Sequence, residues 1–214
     1  MKYKTPFDSP NTDNSPIDVQ FLILHYTGCS LEKTFEIFKD PKKKVSAHFV
    51  IDQTGAIYEI ISCIKKPVKA FHAGQSSWKT WTNFNNHSIG VELVNFNGNL
   101  FNYTEEQYSS LAQLILHLQK IYPPLQSPER ILGHEHIAGF RGKVDPGTQF
   151  NWDKLFKQIY PSHTPPERKP VLPLYLKERF KDLTEQLDER EKKWDTLNTL
   201  LEKQYLYHLQ TEGS

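Results

Sequence analysis

The chain has 214 residues, of which 37% are hydrophobic and 13% aromatic, and a formal charge of +1. That suffices for one core domain of about 150 residues with an appendage, and the near-zero charge excludes an electrostatic case for nucleic acid or an anionic membrane as the main partner. Its only cysteines, Cys29 and Cys63, exclude a disulfide framework and form no CxxC pair, so both read as reduced thiols.

Residues 1–17 carry three prolines and several Asn and Asp residues and predict an extended arm. The arm lacks the apolar stretch of a secretory signal, and no apolar run approaches the roughly 20 residues that span a bilayer. As written, the sequence reads as a cytoplasmic protein, or as a periplasmic mature form whose export signal has been replaced by the starting Met. Next, "VQFLILHYT" is a continuous apolar run of strand length, apt for burial on both faces, with His25 at its C-terminal end. "SLEKTFEIFKD" predicts a short helix opened by Ser30, and "AHFVIDQTGAIYEIIS" a hairpin turning at residues 53–55. "HSIGVELVN" reads as a strand that places an acid, Glu92, among apolar neighbours. "TEEQYSSLAQLILHLQKIY" opens with Thr-x-x-Gln and spaces Tyr108, Leu111, Leu114, Ile115 and Leu118 as a helix does.

"RILGHEHI" predicts a short strand that delivers His134, and "DKLFKQIY" a closing helix. Strands alternating with helices imply an α/β domain over residues 18–160, a mixed central β-sheet flanked by helices, with its site at strand ends and the loops that follow. A proline-rich linker is expected over residues 161–173. Beyond it Phe180, Leu183, Leu187, Trp194, Leu197 and Leu201 form an apolar stripe, which predicts a C-terminal helix over residues 174–210, packed on the domain or self-associating with a second copy.

The chemistry concentrates in "LGHEHIAGFRGKVDPG", residues 132–147, with two histidines, two acids, an arginine, a lysine and four glycines. Taken singly, His25, His134, His136 and Asp145 are open to structural roles. A nucleophilic triad has no GxSxG elbow to support it, and Cys29, four residues from His25, lacks a recognisable signature. A metal site fits better: catalytic zinc takes three protein ligands and keeps one position open, and two strand-end histidines plus a loop aspartate meet that need.

In this order, "FLILHYTG", "SAHFVIDQTGAIYEII", "FHAG", "NHSIGVELVN" and "GHEHIAGFRGKVDPGTQFNW" resemble the zinc-dependent N-acetylmuramoyl-L-alanine amidases, the group that also includes the peptidoglycan recognition proteins. The resemblance covers about residues 18–160. It implies that His25, His134 and Asp145 bind Zn²⁺, that Glu92 is the general base, and that Lys143 stabilises charge on the substrate carbonyl. It also implies peptidoglycan or a muropeptide as substrate, intact or 1,6-anhydro at the sugar, with hydrolysis of the amide to L-alanine. His48 and His72, in the "SAH" and "HAG" contexts, are expected near the cleft as substrate contacts or supports, and Trp78 and Trp81 as a substrate face or as packing. The family usually reads G-H-x-D-I-A-P-G-R-K-x-D-P-G. This chain has His136 for the acid, expected to face solvent, and one extra residue, expected to be absorbed near Gly139 and Gly142. Two other readings are a peptidoglycan-binding module of the same fold that does not cut, which an incomplete metal site would favour, and a scaffold acting through the C-terminal helix.

Overall fold

The run Phe21–Tyr26 forms strand β1, inside a five-stranded sheet of a computed structural model. The structure describes residues 3–64, 66–164, 166, 199, 200, 202, 203, 206 and 207. In chain order β1 is followed by α1 (Leu31–Lys39), β2 (Phe49–Ile51), β3 (Ile57–Glu59), a two-stranded ribbon of β4 (Ser77–Trp78) and β5 (Trp81–Thr82), and β6 (Ser88–Leu93). Then come α2 (Glu105–Gln119), β7 (Ile131–Gly133), α3 (His134–Ala138) and α4 (Trp152–Ile159). The sheet order is β3-β2-β6-β1-β7. All neighbours are parallel except the β2–β3 hairpin, so the sheet is mixed, as the sequence predicts.

Alternation along the strands divides the sheet into two unlike faces. From β1 and β6, Leu22, Leu24, Ile89, Val91 and Leu93 enter the main core, where they meet Leu111, Leu114 and Ile115 of α2 and Leu155 and Phe156 of α4. α2 starts where the sequence places it: the Thr104 side chain accepts from the Gln107 N–H and the Gln107 side chain accepts from the Thr104 N–H, a reciprocal cap. The opposite strand positions, Phe21, Ile23 and His25 of β1 with Ser88, Gly90 and Glu92 of β6, include every polar residue of these strands except Tyr26. At one end of this second face Phe21 and Ile23 pack with Phe84, Leu132 and Ile137. At the other, Val50, Phe38 and Ile60 pack with Leu31 and Phe35 of α1. Between the two small clusters the polar residues are left at the strand ends.

The N-terminal arm is extended and tied down. Lys4 exchanges backbone hydrogen bonds with Ile57 and Glu59 and so covers part of the outer edge of β3, while Ser9 and Asn11 donate to the Phe38 carbonyl. Two features differ from the sequence expectation. The ribbon is additional, and the strand expected over "RILGHEHI" stops at Gly133, where α3 begins. That switch has a local cause: the Gly133 N–H donates to His136 Nδ1 and the Glu135 N–H to the Asp145 carbonyl, which closes the first turn of a helix. Most of the expected linker and all six residues of the expected apolar stripe lie outside the described residues; positions 199, 200, 202, 203, 206 and 207 are helical. Among the described residues no helix is long and apolar enough to cross a membrane.

The loop after α3 is held from the far side of the domain. Tyr103 Oη donates to the Pro146 carbonyl at 2.7 Å and Asn99 Nδ2 to the Val144 carbonyl at 3.3 Å. A Cβ on Gly98 would lie 2.0 Å from the Pro146 oxygen, so only glycine allows this approach. Gly98→Ala is therefore expected to destabilise the fold by about 1–3 kcal/mol, the usual range for overpacking, and to weaken metal binding by displacing Asp145. Thermal denaturation and metal titration check this, and unchanged metal affinity at lowered stability would show that Pro146 moves without Asp145.

Candidate active site

Each expected ligand reaches the site from a different element. β1 ends with His25, which pairs in parallel register with Glu92 of β6; α3 opens with His134 directly after β7; and the braced loop returns Asp145. All three residues are buried, at 1%, 6% and 7% exposure. Asp145 Oδ2 lies 2.9 Å from His25 Nδ1 and 3.1 Å from His134 Nδ1, and one donor atom from each residue falls within 4.8 Å of the others.

The hydrogen bonds behind these atoms show what such a cluster is fit to hold. His134 Nε2 faces the Ala73 carbonyl at 3.2 Å. A carbonyl only accepts, so Nε2 carries a proton towards it, the Arg141 Nη2 3.4 Å away being the longer contact at that nitrogen, and Nδ1 is the atom left for a metal. Burial pushes His25 down to about 4, with His134 adding to the effect and Asp145 opposing it, so His25 is neutral at neutral pH. Burial alone would raise the Asp145 carboxyl, yet the two imidazoles hold it well below the usual range, as an anion. A buried carboxylate set between two imidazole nitrogens calls for positive charge among them, a shared proton in the metal-free cluster or a metal ion in its place, and three N and O donors suit Zn²⁺.

Glu92 stands beside this cluster with its Oε2 shut away from solvent and without a hydrogen-bond partner among the described residues. Desolvation pushes it up to about 8; the Asp145 charge adds to the shift, and the Lys143 ammonium opposes it. Together, His25, His72, Glu92, His134, Arg141 and Lys143 line much of a cleft of about 400 Å³.

Comparison with known proteins bears on the same residues. Residues 14–148 match the family described as N-acetylmuramoyl-L-alanine amidase. The chain belongs to that family. It is 31% identical over 171 residues to the 1,6-anhydro-N-acetylmuramyl-L-alanine amidase AmpD of Haemophilus influenzae, across 71% of this chain and 89% of that protein. A crystal structure of a selenomethionine AmpD derivative superposes with a TM-score of 0.59 at 27% identity, covering 74% of this chain and 96% of the other. The Escherichia coli amidase AmiD, solved in complex with the substrate anhydro-N-acetylmuramic acid-L-Ala-D-γ-Glu-L-Lys, gives 0.58 at 26% identity, over 73% of this chain and 61% of that one.

Within the amidase, the remaining sequence candidates occupy distinct places. His72 lines the cleft and contacts His25. His48 lies beneath it, fully buried, with Nδ1 accepting from the Gly90 N–H and Nε2 facing the Val68 carbonyl, which leaves no ring nitrogen for a ligand. Trp78 and Trp81 pack over the small cluster around Phe21, and Trp78 stacks edge-on against His136 rather than lining the cleft. His136 does not face solvent as expected: its side chain is 9% exposed, it holds the start of α3, and its ring lies between Trp78 and Trp152. Cys29 is buried with its thiol against the Thr27 carbonyl and the Thr34 hydroxyl, outside the cleft, which removes the thiol reading.

Two residues of the site escape the sequence reading. Arg141 Nη2 donates to the Ala73 carbonyl at 2.8 Å beside His134, and its one signal is its place in the glycine-rich loop. Glu202 pairs with Lys143 at 3.3 Å and lines the cleft, although it lies far outside the matched segment. A larger groove of about 800 Å³, lined by residues such as Tyr108, Thr148, Trp152 and Lys154, holds none of the expected site residues.

The shifted groups give a pH signature in metal-free amidase. Between pH 4.5 and 8 the folded protein keeps a proton on Glu92 that the unfolded chain has released, so stability falls as pH rises through that window. Neutral buried His25 and His48 act in the opposite sense from about pH 4 to 6.5, and their contribution is complete above that range. Thermal midpoints of chelator-treated protein are thus expected to decline from pH 6.5 to 8, and Glu92→Gln to remove the decline. Equal declines in both proteins would show that Glu92 ionises normally.

Proposed function

We propose that the amidase hydrolyses the amide between the lactyl group of N-acetylmuramic acid and the L-alanine of a stem peptide, with Zn²⁺ held by His25, His134 and Asp145. The observation that carries this reading is the convergence of three buried donor atoms beside a carboxylate with raised proton affinity. A complete donor set favours hydrolysis over binding alone. The names of the relatives and the substrate bound to one of them support a muropeptide, in particular one ending in the 1,6-anhydro sugar.

When bound, zinc polarises the amide carbonyl and acidifies water towards a pKa of about 7. Glu92 takes a proton from the attacking water, the hydroxyl adds to the carbonyl carbon, and the same carboxyl returns the proton to the leaving amine of alanine as the C–N bond breaks. A carboxyl desolvated on one side and opposed by Lys143 on the other suits a group that must both accept and release a proton. The Lys143 ammonium, on the cleft wall, steadies the charge that develops on the carbonyl oxygen. His72 lines the same cleft and serves the site from behind His25.

Three variants separate these roles. Glu92→Gln keeps the size of the side chain but cannot take the proton, so turnover is expected to fall by roughly 10²- to 10⁴-fold with zinc content and fold retained. His134→Ala is expected to lose zinc together with activity, because two remaining ligands hold it poorly. Lys143→Met is expected to lower kcat more than it raises KM, by roughly 10²-fold, as for loss of one oxyanion donor. Digestion of intact and anhydro-muramyl peptides, with products identified by mass spectrometry and zinc by elemental analysis, checks all three. Full turnover in chelated, zinc-free protein would overturn the reading.

A further inference from the structure

We propose that the His72–Ala73 dipeptide, clamped by Asn85 and Ser88, fixes the tautomer of both ligand histidines and so presets their Nδ1 lone pairs for the metal. The inference rests on the reading of His25, His134 and Asp145 as ligands, and it assigns His72, Ser88 and Asn85 as positioning residues.

The protons can be counted along the chain of hydrogen bonds. Ser88 Oγ donates its single hydrogen to the Phe84 carbonyl at 2.6 Å, so towards His72 Nε2, 3.3 Å away, it can only accept. His72 therefore carries its proton on Nε2 and has a lone pair on Nδ1. That lone pair lies 3.0 Å from His25 Nε2. His72 lies outside the three-residue donor cluster, so no metal ion sits between these two nitrogens; one of them carries a proton, and that is His25 Nε2, which donates. The near-perpendicular rings, at 83°, suit one N–H pointing into the edge of the next imidazole. His25 Nδ1 is then the nitrogen left to give its lone pair to the metal beside Asp145 Oδ2. One residue on, the Ala73 carbonyl performs the same task for His134 by accepting from its Nε2.

Both jobs thus fall to adjacent residues, and their backbone is pinned. Asn85 Oδ1 accepts from the His72 N–H at 3.1 Å and from the Ala73 N–H at 2.7 Å. Arg141 adds a second donor to the Ala73 carbonyl. The strand beneath makes room for the ring: a Cβ on Gly90 would lie 2.4 Å from His72 Cγ, so Gly90 lets the imidazole lie against β6 between Ser88 and Glu92. Outer hydrogen bonds of this kind orient metal-binding imidazoles, and their loss commonly costs ~10- to 100-fold in metal affinity.

The test measures zinc affinity by chelator competition on the full chain, with circular dichroism as a check on folding. His72→Leu and Asn85→Ala are expected to weaken zinc binding ~10- to 100-fold, and Ser88→Ala to weaken it by a smaller factor. Asn85→Asp keeps the accepting oxygen and is expected to restore most of the affinity lost in Asn85→Ala. Independently of any variant, ¹⁵N NMR of the zinc-loaded wild type is expected to show neutral His72 with its proton on Nε2; the same measurement on Ser88→Ala is expected to show a mixture of the two tautomers. A proton on His72 Nδ1 in the wild type, or a folded His72→Leu with wild-type zinc affinity, would overturn the inference. Should His72→Leu not fold, the wild-type spectrum and the Asn85 pair decide. A wild type that binds no zinc would instead overturn the proposed function, so the two failures are distinguishable.

Discussion

Two imidazole nitrogens and a carboxylate oxygen, pressed together away from water, form the arrangement around which the second face of the sheet is organised. Like ends of dipoles and a buried anion repel one another or demand solvation, so the cluster holds only because each of the three residues is satisfied on its far side. His134 is bonded to Ala73, His25 to His72, and Asp145 is fixed by a loop that Tyr103 and Asn99 grip from behind. The stability of the remaining fold serves this purpose. The large apolar core on the other face, under α2 and α4, supplies a rigid floor that keeps the strand ends from relaxing apart.

The same geometry accounts for the behaviour of Glu92. Its register opposite His25 places a carboxylate next to a second carboxylate, Asp145, in a place that water does not fully reach. A cation in the cluster would offset the Asp145 charge, so the proton affinity of Glu92 depends on whether that position is filled. Lys143 acts in the same direction from the cleft wall while its ammonium is shared with Glu202. The charges of the site form one coupled set rather than independent groups with separate roles.

Local signals in the sequence were sufficient for much of this. The apolar run of β1, the reciprocal cap of Thr104 and Gln107, and the turn between β2 and β3 each depend on residues close together in the chain, and each forms where the pattern indicates. The motif order brought His25, Glu92, His134, Lys143 and Asp145 into view together, and the structure gathers them around one cleft. Long-range pairing was not legible. Whether His48 or His72 reaches the cleft depends on which strand lies beneath each ring, and neither flanking sequence records that. His136 looks like a solvent-facing substitution until the Gly133 N–H that it binds and the tryptophans that enclose it are in place. Ser88 reads as an ordinary strand residue because its meaning lies in a proton donated to Phe84 and another accepted from His72.

The division of β6 into two alternating sets has a consequence for how the molecule can vary. Ile89, Val91 and Leu93 answer only to the packing of the helices, and a change of size there can be absorbed by a neighbour across the core. Ser88, Gly90 and Glu92 answer to a hydrogen count, a ring contact and a proton, none of which a neighbour can replace. Six consecutive residues thus follow two substitution rules, one tolerant and one strict. Even-numbered positions of this strand carry the chemistry and odd-numbered ones the packing that holds it in place.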